Sequence, residues 1–191
     1  MPFKVFRITS PSELDSIPVA VIKDYPLETR DYKPYAQCNI CLDEKSLFLR
    51  MWAFEVSPPD GSELRGVFYL FPDRPGLALA VSMRPGRGCD FFLPEDGKQR
   101  EINPPQGFTT HPYNGEDQQG IYWGSLAVMP IDWLKPLGGR VNLGAGEVFR
   151  GNFYKLCSGA GWEHKGSYFP ADFSSGGFSE KNMGEFLIIS R

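Results

Sequence analysis

The chain has little of what most functional classes require. No apolar run approaches the roughly 18 residues of a membrane span. The first ten residues, "MPFKVFRITS", mix charged and apolar positions where a secretory leader needs a continuous apolar core. A membrane partner is not expected, and with no export address in the sequence as given a cytoplasmic location is the default reading. Neither charge dominates: 20 Lys and Arg stand against 23 Asp and Glu, a formal net charge of -3. The broad basic face that neutralises a phosphate backbone is missing, so nucleic acid is not an expected partner.

Catalytic signatures are equally sparse. The two histidines, His111 and His164, have no acidic residue at motif spacing. There is no G-x-S-x-G elbow, no H-E-x-x-H pair and no P-loop, and the "GAG" at Gly144 has no helix after it to present to a phosphate. No catalytic residue and no metal ligand is assigned on these grounds. The cysteines are Cys38, Cys41, Cys89 and Cys157, too few and too scattered for a disulfide framework. Cys38 and Cys41 form a C-x-x-C, but "YAQCNICL" alternates like a strand. Residues three apart on a strand point to opposite faces, whereas a zinc or redox role needs both sulfurs on one side, so the two are read as ordinary strand cysteines in a reducing environment.

Strand periodicity is present in quantity. In "YAQCNICL" Ala36, Cys38, Ile40 and Leu42 share one face; after the turn residues "DEKS", "LFLRMWAFEV" resumes the alternation. The pair reads as a β-hairpin. Further strands are expected at "FKVFRI", "GVFYLF", "LALAVSM", "CDFFL", "GIYWGSLAVMP", "EVFRGNFYKL" and "EFLIIS", separated by turn segments that draw on 21 Gly and 17 Pro. Only "SPSELDSI" and "MPIDWLKPL" read as helical. Residues 23–35 and 101–119 are polar, carry proline and read as surface loops. Eight to ten short strands with one or two short helices predict an all-β fold, an antiparallel β-sandwich of immunoglobulin or jelly-roll type. No linker or repeat divides it, so residues 1–191 are expected to form one domain.

Aromatic residues are the abundant class, with 15 Phe, 8 Tyr and 4 Trp. Sugars present an apolar C–H face and a rim of hydroxyls, so their sites combine rings with Arg, Asn, Gln and Glu. Residues 150–170, "RGNFYKLCSGAGWEHKGSYFP", supply that mixture. Alternation puts Arg150, Asn152 and Tyr154 on one face and Gly151, Phe153 and Lys155 on the other. The glycine-punctuated loop that follows carries Trp162, His164 and Tyr168. These six residues are the expected ligand-binding set, with Trp52 of "LFLRMWAFEV" as a further candidate ring. Trp123 is expected in the core, and Trp133 is expected to anchor its short helix on the sheet.

The order of these segments resembles the carbohydrate-binding module family 9-like proteins, β-sandwiches related to the DOMON superfamily. The resemblance rests on "RGNFYK", then "HKGSY", then the closing "GEFLIIS", together with "SLFLRMWAFE" and "IYWGSLAVMPIDWL". It implies a non-catalytic saccharide-binding module linked to polysaccharide catabolism, no cofactor, and structural calcium as an optional feature. No D-x-D-x-D-G spacing is present, and Tyr168 stands where the resemblance leads one to expect tryptophan. Two other classes remain open: a haem-binding DOMON-type electron-transfer domain using His and Met ligands, and a small glycan-acting hydrolase or lyase with a carboxylate and His164 as its acid–base pair. The oligomeric state is not legible.

Overall fold

In the computed structural model, which describes residues 1–31, 33–175 and 178–190, the chain forms a β-sandwich. The strands are β1 (Phe3–Arg7), β2 (Ala20–Ile22), β3 (Tyr35–Leu42), β4 (Ser46–Phe54), β5 (Ser62–Tyr69), β6 (Leu79–Met83), β7 (Cys89–Glu95), β8 (Lys98–Ile102), β9 (Thr109–Asp117), β10 (Gly120–Pro130), β11 (Val148–Cys157), β12 (His164–Ser167) and β13 (Gly184–Ile189), with one α-helix, α1 (Ile131–Gly138). The first layer has the order β8-β7-β6-β5-β11-β13 and the second β3-β4-β10-β9.

The layers are joined along one side. Strand β1 is parallel to both of its neighbours: Phe3–Phe6 pair with Phe186–Ile189 of β13, and Phe6 and Arg7 pair with Cys41 and Leu42 of β3. The other named strand pairings are antiparallel. A second junction forms where β2 pairs with β3 while Asp24, just beyond it, bridges Ser167 of β12. The β3–β4 hairpin follows from its turn residues: the Asp43 carboxylate accepts from the backbone N–H groups of Lys45 (2.8 Å) and Ser46 (2.6 Å).

The inner faces meet in an aliphatic and aromatic core in which Phe68, Phe149, Phe153 and Phe186 make edge and stacked ring contacts. Gly151 is required here, because a Cβ would sit 2.8 Å from the Phe68 ring. Two segments cover outer faces. The 3-10 helix Pro11–Ser16, capped by Ser10 and Glu13, lays Leu14 over β3 and β4, beside Cys41 and Phe48. The C-terminal segment lays Ala171, Phe173 and Met183 over β11 and β5, beside Tyr154 and Val67.

Most strands fall where alternation places them, and β10 coincides with "GIYWGSLAVMP". The stretch 101–119 is not all loop: β9 is an edge strand whose exposed polar residues carry no alternating apolar signal. Strands β2, β8 and β12 are also additions to the sequence reading. Cys38 lies in the inter-sheet core and Cys41 beneath the 3-10 helix, on opposite faces, with burial pushing the Cys41 thiol up to about 12.

Candidate functional site

Alternation along β11 holds, but its polar face is not a ligand surface. Asn152 is fully buried beneath the C-terminal segment. Its Nδ2 donates to the carbonyls of Phe169 and Asn182, both at 2.9 Å, and its Oδ1 accepts from the N–H groups of Phe153 and Phe169, both at 2.9 Å. The side chain is a clamp with every hydrogen-bonding group in use. Tyr154 is also fully buried, its ring 4.9 Å from that of Phe178 and 6.1 Å from that of Phe173. Expecting these two to face a ligand is corrected by the packing of residues 171–183. Arg150 alone of the three stays exposed, donating to the Met183 carbonyl and lying 3.5 Å from Glu180.

The other predicted residues lie elsewhere. Tyr168 turns toward the inter-sheet core, its ring 5.6 Å from Phe3 and 6.2 Å from Phe153. Trp52 is nearly buried on the outer face of the second layer beneath the Arg50 guanidinium, 5.0 Å from its ring. Trp162 and His164 come together at the end of the sandwich where the β4–β5 and β11–β12 connections meet Arg30 and Pro34. The seven predicted residues therefore do not line one surface.

The face that alternation picked out on β11 becomes concave on the neighbouring strands. Cross-strand register sets Arg65 opposite Tyr154, Val67 opposite Asn152 and Tyr69 opposite Arg150. There β5, β6, the β7–β8 hairpin and residues 178–180 enclose a groove of about 530 Å³, bordered by Arg65, Tyr69, Glu95, Gln99, Phe178 and Glu180, among others. The Arg65 guanidinium is held over two rings, 5.7 Å from Phe92 and 5.0 Å from Phe178, and bonds Glu63. The Tyr69 hydroxyl reaches the Phe178 carbonyl at 3.4 Å, and burial raises its pKa. Ser82, opposite Arg65 on β6, has a buried hydroxyl without a hydrogen-bond partner among the described residues. The concavity of about 560 Å³ beside Arg7, Asp43 and Lys45 has no aromatic ring in its lining.

Behind Trp162 lies a buried polar network. Lys155, on the inward face with Phe153, is wholly buried; its Nζ donates to Ser62 Oγ (2.7 Å) and the Leu156 carbonyl (3.2 Å), with Glu55 Oε1 at 3.2 Å as counter-charge. Glu55 Oε2 accepts from Ser62 Oγ (2.9 Å) and Trp123 Nε1 (2.8 Å). His164 Nδ1 donates to the Trp162 carbonyl (2.8 Å), which fixes the tautomer and leaves Nε2 to accept from Lys155 (3.1 Å). Burial and the Lys155 charge lower the His164 pKa to about 4, so the ring is neutral at pH 7. Burial also lowers the Lys155 pKa, against the pull of Glu55. With both nitrogens engaged, His164 cannot ligate a haem iron or shuttle a proton without first leaving this network.

Sequence reasoning missed Arg65, Tyr69, Phe178, Glu55 and Arg30. One signal did reach the network: alternation put Lys155 beside Phe153, and a lysine on a core face needs a buried acid.

No family model matches the chain, and no curated protein matches it in sequence. Solved structures do match it in shape. One is a protein from Bacteroides uniformis, provisionally named carbohydrate-binding, with TM-score 0.72 and 16% identity over 98% of this chain and 97% of that one. Another is a carbohydrate-binding module family 9 from Caldicellulosiruptor kristjanssonii in complex with glucose, with TM-score 0.56 and 10% identity over 98% and 96% of the two chains. A family 9 module of that organism in complex with cellotriose aligns with TM-score 0.57 and 7% identity over 100% and 95%. The fold is thus the β-sandwich of carbohydrate-binding module family 9.

Proposed function

We propose that this chain is a single, non-catalytic saccharide-binding unit and that its ligand occupies the groove over β5 and β6. The observation that carries the reading is the make-up of that groove. Two rings, Tyr69 and Phe178, offer faces for the C–H side of a pyranose. Arg65, Gln99, Glu95 and Glu180 offer donors and acceptors for its hydroxyls. A volume of about 530 Å³ lies within the 300–1,000 Å³ typical of small-ligand sites. Three of its charged groups are paired, Arg65 with Glu63, Glu95 with Arg74 and Glu180 with Arg150, while Asp96 and Lys98 stand on its rim. Paired charges suit hydrogen bonding to a neutral polyol better than proton transfer.

The shape matches to modules bound to glucose and cellotriose make gluco-configured pyranoses and their short β-linked chains the first ligands to test. A role assisting a polysaccharide-degrading system follows as the wider proposal. The test is calorimetric titration with glucose, xylose, galactose, mannose and linear trisaccharides of glucose and xylose. Binding by at least one sugar is expected, weakened about tenfold or more by Phe178→Ala and by Arg65→Ala. A flat response across the panel at millimolar sugar overturns the reading.

A further inference from the structure

The Trp162 loop is held with more care than a surface loop needs. Its three successive carbonyls each accept a side-chain hydrogen bond: Gly161 from Arg30 Nη1 (3.3 Å), Trp162 from His164 Nδ1 (2.8 Å) and Glu163 from Arg30 Nη2 (3.1 Å). Arg30 is fixed in turn by a two-point contact with Glu28, whose carboxylate it holds down to about 2. His164 is fixed by the buried Lys155 and Glu55. Yet Trp162, whose backbone all of this holds, is 57% exposed. An exposed ring on a locked backbone has only its side-chain freedom, and no loop entropy, to lose on contact, which is the property of a binding platform.

Beside the ring is a cleft of about 90 Å³ walled by Pro34, Val56 and Pro59, with Arg30 at its side and the nearly buried Glu55 and His164 on its lining. Of the five N–H donors of Arg30, one on Nη1 has no partner among the described residues. Glu55 Oε1 faces only Lys155 and keeps acceptor capacity. The ionised groups around the cleft occur as the pairs Glu28–Arg30 and Glu55–Lys155, so it does not select a charged ligand. An apolar ring face next to a spare donor and a spare acceptor matches a neutral pyranose.

We infer that Trp162, with Arg30 and Glu55, forms a second saccharide-contacting site, separate from the groove over β5 and β6. A sugar rests its C–H face on the indole and places a hydroxyl edge or exocyclic hydroxymethyl in the cleft, since the cleft is too small for a whole ring. This rests on the saccharide reading for the ligand class but not on the groove as its location. Two sites on one chain let it grip a polymer at two points, raising avidity without any new contact.

The test is a titration of the intact, isotope-labelled protein with the same neutral mono- and trisaccharides, followed by NMR at the Trp162 indole N–H and the amides of Val56 and Gly161, and at the amides of Tyr69 and Phe178. Two groups of shifts are expected. The cleft group is lost or weakened about tenfold in Trp162→Ala, kept in Trp162→Phe and unaffected by Phe178→Ala, while the groove group shows the reverse dependence. A Trp162 indole that stays still while the groove signals move overturns the second site and leaves the first standing. If the cleft signals alone move, the groove assignment falls and this one holds; if neither moves, both fall. Because Trp162 is exposed, an unchanged thermal midpoint for Trp162→Ala confirms that lost shifts reflect lost contact.

Discussion

The groove over β5 and the network behind Trp162 are made from the same kinds of residue, arginine or lysine, carboxylates and aromatic rings, and they differ in what those residues have left to offer. In the network, the three protons of Lys155 are shared among Ser62, the Leu156 carbonyl, His164 and Glu55 and both His164 nitrogens are taken, so that only Glu55 Oε1 keeps acceptor capacity. In the groove, the Arg65 guanidinium bonds one carboxylate and lies across two rings beside about 530 Å³ of open volume. A polar residue on a strand becomes structural or ligand-facing according to whether another segment closes over it. Over β11 and Val67 of β5 the C-terminal segment does so; beside Arg65 and Tyr69 it leaves the groove open.

The contrast breaks most visibly at the buried end. Lys155→Ala leaves the Glu55 carboxylate buried without its counter-charge and is expected to cost about 3–5 kcal/mol, a loss that joint replacement of Lys155 and Glu55 by apolar residues largely restores. Phe153→Ala, on the same inward face, is expected to cost a similar 3–5 kcal/mol through the cavity left among Phe3, Phe68 and Phe186. Denaturant unfolding measures both.

Acid probes the network without mutation. The folded His164 pKa of about 4 lies below the ordinary 6.5. As pH falls through about 6.5 the unfolded chain takes up a proton that the folded chain refuses, so stability drops between pH 6.5 and 4 and this contribution levels off below. The loss is up to about 3 kcal/mol, and His164→Gln should flatten the unfolding midpoint against pH over that window. An unchanged slope would show that the ring titrates normally.

Asn152→Ala strips four hydrogen bonds from buried backbone groups and is expected to cost about 2 kcal/mol while leaving the affinity of the groove for sugar within twofold. A large affinity loss at preserved stability would return Asn152 to the ligand-facing set. The smallest expected stability effect is that of Trp162→Ala, within about 0.5 kcal/mol, because the indole buries little. If it unfolds the protein as readily as Phe153→Ala does, the loop is a structural plug and not a platform.

Period-two alternation, turn chemistry and the lack of helical periodicity determined the β-sandwich from the sequence alone, including the β3–β4 hairpin, the two faces of β11 and the opposed placement of Cys38 and Cys41. These are local properties, set by backbone geometry over a few residues. The site was not local. Arg65, Tyr69 and Phe178 are distant in sequence and meet only because β5 pairs with β11 and the C-terminal segment returns across the sheet. Glu55 reaches Lys155 across a hundred residues for the same reason. Alternation states which side of a strand a residue occupies; only the tertiary structure decides what lies against that side, because burial and hydrogen-bond satisfaction are properties of the segments that pack there and not of the strand itself.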